Sequence, residues 1–175
     1  MNQAEMIKLT GVAPLNVAAH PNAVPMVVAD LGAGDDEKYW MKLTDTVWSR
    51  PLVIYAHSGG WIECFRVAGI GLVNRHRHAT PVFVYWMEGS FGYLEHDFVL
   101  GPGSVLYEPV GETHSFCSLD ENGAKAIAVM FGPLVLVDEN GKDVATITGL
   151  DVLDKYRDHC ESVGLGKGFA DALIR

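Results

Sequence analysis

Between residues 39 and 148, apolar and polar positions alternate in short runs, and turn residues break the runs at close intervals. Residues 52–57 and 61–67 flank Ser58-Gly59-Gly60 and predict a hairpin. Residues 82–88 and 91–100 flank Gly89-Ser90, which predicts a second tight reversal. Asn122-Gly123 and Asn140-Gly141 are the strongest hairpin signals, because type I′ turns take positive φ at both central positions. They separate 115–119 from 124–131 and 134–137 from 144–148. Many short strands at regular spacing predict an all-β sandwich or barrel.

The two ends break this pattern. Residues 1–38 are rich in Ala, Pro and Asn and predict a loosely structured N-terminal arm, with one strand near 25–28. At the other end Val152, Leu153, Tyr156, Cys160 and Val163 recur at helical spacing. Asp151 is the predicted cap, Gly164 the predicted stop, and a short second helix is expected within 169–174. The organisation expected is one structural domain: arm 1–38, barrel 39–148 and helical tail 149–175.

Composition narrows the function classes. The 175 residues are 49% apolar and carry a formal net charge of −9, with no basic run. Such a surface repels polyanions, so neither nucleic acid nor an anionic membrane is an expected partner. The first residues lack the basic start and apolar core of a signal peptide, and no stretch reaches the length of a membrane span. A cytoplasmic protein is therefore expected. Cys64, Cys117 and Cys160 are too few and too scattered for a disulfide framework and read as small buried hydrophobes.

The candidate chemistry begins with His76 and His78. On a strand, residues i and i+2 face the same way, so both imidazoles can reach one point. A second element follows in Gly103-Ser-Val-Leu-Tyr-Glu-Pro109-Val-Gly111-Glu-Thr-His114. Pro109-Val110-Gly111 forces a reversal, and His114 then opens a returning strand that can face the interior. Val82, Val84 and Trp86 share one parity and should line the barrel, with Tyr93, Tyr107 and Phe116 as further candidate wall residues. Arg75 and Arg77 alternate with the histidines and should point away from them. His96 reads as an exposed strand residue or part of a pocket mouth, whereas His20, His57 and His159 lack a motif context.

An HxH pair followed by G(x)5PxGxxH resembles the paired motifs of the cupin superfamily, which implies a single double-stranded β-helix barrel. In that family a glutamate ligand usually stands four or five residues after the second histidine. Here those positions are Val82 and Phe83. The resemblance is therefore to three-histidine cupins, with His76, His78 and His114 implied as metal ligands. Glu108, in the second motif, is open to four roles: weak fourth ligand, acceptor orienting an imidazole, catalytic base, or a strand-end carboxylate reaching solvent. Imidazole suits zinc, iron, copper and nickel alike, so the donors alone leave the ion open.

The runs NRHRHATPVFVYWMEGSFG (74–92) and LGPGSVLYEPVGETHSF (100–116) are similar to three-histidine cupin dioxygenases that cleave a carbon–carbon bond. That resemblance implies non-haem Fe(II), with zinc or nickel as alternatives, and O2 with a small aromatic hydroxyketone as substrates. It also implies a homo-oligomer, dimer or tetramer. A β-diketone dioxygenase and a non-catalytic zinc-binding cupin sensor are the competing expectations.

Overall fold

Among the residues described by this computed structural model, 1–32 and 35–175, twelve strands form two six-stranded sheets. In chain order they are β1 (Met41–Lys42), β2 (Val47–Tyr55), β3 (Gly60–Val67), β4 (Gly71–His78), β5 (Val82–Glu88) and β6 (Phe91–Tyr93), then β7 (Val99–Leu100), β8 (Val105–Glu108), β9 (Thr113–Ser118), β10 (Ala124–Met130), β11 (Leu134–Val137) and β12 (Asp143–Ile147). One sheet runs β1-β2-β3-β10-β5-β8 and the other β12-β11-β4-β9-β6-β7. From β3 to β6 and again from β8 to β11, successive strands alternate between sheets, the winding of a jelly-roll barrel. The alternation in β5, buried at Val82, Val84 and Trp86 and exposed at Phe83 and Tyr85, shows the period of two that produces it.

The expected hairpin of β2 and β3 forms. Two other expected hairpins do not. Gly89-Ser90 joins β5 to β6, and Asn122-Gly123 joins β9 to β10, and in each case the two strands belong to opposite sheets. Turn chemistry specifies a reversal, not which strand becomes the neighbour. Nor are the turns type I′, since among the described residues none other than glycine has positive φ. In each Asn-Gly turn only the glycine is left-handed: Gly123 donates to Asp120 O at 3.0 Å and Gly141 to Asp138 O at 3.0 Å. A Cβ on Gly123 would sit 2.2 Å from Val67 O, so the position excludes a side chain as well as favouring glycine by its φ of 85°. The β11–β12 hairpin does form, with a register shift beside Val137.

The N-terminal arm differs from expectation. It contains helix α1 (Gln3–Thr10), closed by a capping box between Asn2 and Glu5, and no strand at 25–28. Helix α1 buries none of its residues. Residues 35–40 are fastened to the outer face of the first sheet. Asp35 pairs with Arg50 and accepts the Trp40 indole N–H at 2.9 Å, while Glu37 takes a bidentate pair from Arg66.

Helix α2 (Gly149–Ser162) follows β12 and buries Val152, Leu153, Tyr156 and Cys160. Its N-cap is Thr148; Asp151 is the third helical residue and completes the capping box. Val163 is the C-cap and stays partly exposed, so it does not extend the buried stripe. Helix α3 (Lys167–Asp171) is the short second helix; it begins two residues and ends three residues before the expected bounds. Among the described residues no helix is long and apolar enough to cross a membrane. All three cysteines are buried and unpaired.

Candidate metal centre

Inside the barrel, an aromatic group made of Trp86, Phe91 and Phe116 stacks at centroid distances of 4.1 Å and 4.9 Å, with Phe65 edge-on to all three. Beside it lies a polar island. His76 and His114 are direct cross-strand partners of β4 and β9, and His78 is two residues along on the same face of β4. Glu108 ends β8 in the opposite sheet, where its register partner is Val82. The carboxylate absent from position 82 thus arrives from the strand next door. All four residues are between 2% and 6% exposed, which eliminates a solvent-reaching role for Glu108.

Their donor atoms converge. His76 Nε2 lies 3.0 Å from His78 Nε2 and 3.0 Å from His114 Nε2. Glu108 Oε2 lies 2.8 Å from His78 Nε2 and 3.2 Å from His114 Nε2. The four atoms form a closed ring and all sit within 4.8 Å of one another. Ligands ~2.1 Å from a common ion and at right angles would be separated by ~3.0 Å, so the ring has the edges of a coordination shell. Glu108 Oε2 faces both rings yet completes no well-formed hydrogen bond, an orphaned buried carboxylate oxygen for which a cation is the natural partner. The donor set and its spacing fit a divalent metal.

The surroundings prepare these donors. The Asn74 side-chain carbonyl accepts from His76 Nδ1 at 2.6 Å, which leaves the Nε2 lone pair aimed at the ring centre. Burial, followed by the neighbouring charges of His78 and His114, holds His76 well below the usual imidazole range, so it stays neutral and able to coordinate. The Tyr93 hydroxyl donates to Glu108 Oε1, and its ring lies flat on His114, with centroids 4.0 Å apart and 9° between planes. Burial pushes the Tyr93 hydroxyl up, and the Glu108 charge adds to that, so it remains a donor. Burial alone would raise Glu108, but contacts with His114 and His78 and the Tyr93 hydrogen bond outweigh it and leave the carboxyl well below its ordinary range. Nδ1 of His78 and of His114 has no protein partner.

The cluster opens onto a cavity of about 460 Å3. Val82, Val84, Trp86, Tyr93 and Phe116 line it, together with Phe65, Met130 and Leu134. Tyr107 does not. It is 60% exposed on the outer face, because the period of two that turns Glu108 inward turns its neighbour outward. His96 also lies outside the lining and pairs with Glu112 at 2.6 Å. Arg77 points outward and pairs with Asp143. Asn74 is the site residue that sequence reasoning passed over, although it shares the parity of His76 and His78 on β4.

An all-β double-wound barrel enclosing a buried His-His-Glu-His cluster defines a cupin with a candidate metal site. Residues 29–135 match the family described as the ChrR cupin-like domain, and the chain belongs to that family. Its fold is shared with an RmlC-like cupin protein from Ralstonia eutropha JMP134, at 26% identity and a TM-score of 0.68 over 72% of this chain and 83% of that one. A second cupin-like protein of that organism aligns at 18% identity and TM-score 0.67, covering 83% and 90% of the respective chains. An acetylacetone dioxygenase from Acinetobacter johnsonii aligns at 14% identity and TM-score 0.67, covering 81% and 97%. No curated protein sequence matches the chain.

Proposed function

We propose that this cupin is a non-haem iron dioxygenase for a small aromatic α-hydroxyketone. The reaction is cleavage of 2,4′-dihydroxyacetophenone between its carbonyl and hydroxymethyl carbons, with both atoms of O2 incorporated to give 4-hydroxybenzoate and formate. The observation that carries this reading is the pairing of four buried donors with a cavity whose adjoining wall is apolar and aromatic.

His76, His78, His114 and Glu108 would hold the iron. Bound Fe(II) supplies a Lewis-acidic centre for a chelating hydroxyketone and the electrons that activate O2. Glu108 contributes the one negative charge of the donor set, so the site favours a substrate that brings another, as a deprotonated hydroxyketone does. Tyr93 fixes the outer oxygen of Glu108, and Asn74 fixes the ring of His76, so that two donors are restrained before any ligand arrives. Val82, Val84 and Phe116 keep water from the reacting carbons.

Oxygen uptake by the iron-loaded protein tests the reading, with 2,4′-dihydroxyacetophenone and acetylacetone offered in parallel. Uptake with the hydroxyketone, and 4-hydroxybenzoate and formate in equal amounts, is the expected result. Uptake with acetylacetone alone would replace the substrate with a β-diketone. A protein that retains zinc and consumes oxygen with neither compound is a non-catalytic binding module.

A further inference from the structure

The cavity wall is not uniformly apolar. On β3 the inward side chains are Trp61, Glu63 and Phe65, and all three line the cavity. Glu63 pairs in register with Ala128, which pairs in turn with Val84. A carboxyl in such a wall is costly unless it has partners. Those it has are a hydroxyl and an indole, not a cation. Ser49 donates to Glu63 Oε2, and the Trp61 indole N–H approaches the same carboxyl without completing a hydrogen bond. Trp61 is 2% exposed, so this N–H is buried beside the carboxyl with its hydrogen bond unmade.

The metal cluster and this second polar group lie apart on the barrel wall. Glu108, Val82, Met130 and Trp61 are successive register partners across β8, β5, β10 and β3. Three strand spacings of about 4.8 Å put roughly 14 Å of sheet between the outer two, which inward side chains shorten from both ends. A ring carrying polar groups at its two ends matches a cavity wall that carries two separated polar groups.

We infer that Glu63, Ser49 and Trp61 form a distal subsite that binds the ring hydroxyl of a para-hydroxyphenyl ketone, an assignment that rests on the hydroxyketone reading above. A hydroxyl satisfies both vacancies at once, donating to the Glu63 carboxyl and accepting from the Trp61 N–H. A β-diketone has nothing to offer there, so the subsite sets the substrate class.

The test is anaerobic binding calorimetry on the iron-loaded full chain, with 2,4′-dihydroxyacetophenone and with 2-hydroxyacetophenone, which lacks the ring hydroxyl. The wild-type protein should bind the phenol roughly 10–100-fold more tightly, the worth of a buried hydrogen bond to a carboxyl. In Glu63→Leu that preference should shrink to about twofold with iron per chain unchanged, since the carboxyl is absent while the metal donors stay, and Glu63→Gln should keep part of it. Equal binding of the two ketones by the wild type, or full preference in Glu63→Leu, overturns the subsite alone. Binding of neither ketone overturns the hydroxyketone reading and the subsite with it. Should Glu63→Leu fail to fold, Trp61→Phe and Ser49→Ala carry the same comparison.

Discussion

Replacing Tyr93 with Phe removes one hydroxyl and keeps the ring that stacks on His114. The hydroxyl is the donor that holds Glu108 Oε1, while Oε2 faces the histidines. A hydrogen bond to a buried charged group is worth about 1.5–3 kcal/mol, which corresponds to roughly 10–150-fold in an equilibrium constant. Partners of this kind around metal ligands change metal affinity by roughly 10–100-fold, the same range. In Tyr93→Phe, metal binding must itself restrain the carboxylate, and iron affinity should fall by roughly 10–100-fold. The assay is anaerobic competition with a chromophoric chelator, run beside a urea titration of the metal-free protein. Tyr93→Leu is the control that also removes the stack, at a further cost of about 0.5–1.5 kcal/mol. If Tyr93→Phe binds iron within about twofold of wild type while its stability falls by the hydrogen-bond amount, the hydroxyl serves only packing and Glu108 does not ligate.

Three further outcomes follow from the same geometry. His76→Ala, His78→Ala and His114→Ala should each lose iron and activity, as read by elemental analysis and steady-state assay; a variant that keeps both removes that residue from the ligand set. The metal-free protein should lose stability as pH falls below 6.5, the ordinary histidine value, because the unfolded chain takes up a proton there that buried His76 refuses. His76 lies low in the folded state, so its contribution is complete above 6.5 and shrinks toward the folded value; urea midpoints at about pH 8 and about pH 5.5 test the sign. Gly123→Ala should destabilise by about 2 kcal/mol or more, since left-handed backbone and the carbonyl of Val67 both oppose a Cβ, whereas Asn122→Ala should cost less because Asn122 has no positive φ.

Much of the centre could be read from the chain because strand parity fixes which side chains share a face. His76 and His78 converge for that reason, and Val82, Val84 and Trp86 line the cavity for the same one. Applied to β8, parity also excludes Tyr107, since Glu108 and its neighbour cannot both face inward. Strand partnership was not legible. Gly89-Ser90 and Asn122-Gly123 reverse the chain equally well within a sheet or between two, and only packing of the whole barrel decides. Helix α1 had a readable capping box in Asn2 and Glu5 but no apolar stripe to signal it, consistent with a helix that buries nothing. Glu63 stood in view as the one carboxylate within β3, but only the folded barrel shows that it lines the same cavity as the metal cluster.

X-ray absorption at the iron edge of the anaerobically loaded protein tests the metal centre most directly. One iron per chain is expected, with three imidazole nitrogens and a carboxylate oxygen at about 2.0–2.2 Å. Fewer than three imidazoles around the metal, or a protein that retains no iron after gel filtration, would contradict the assignment.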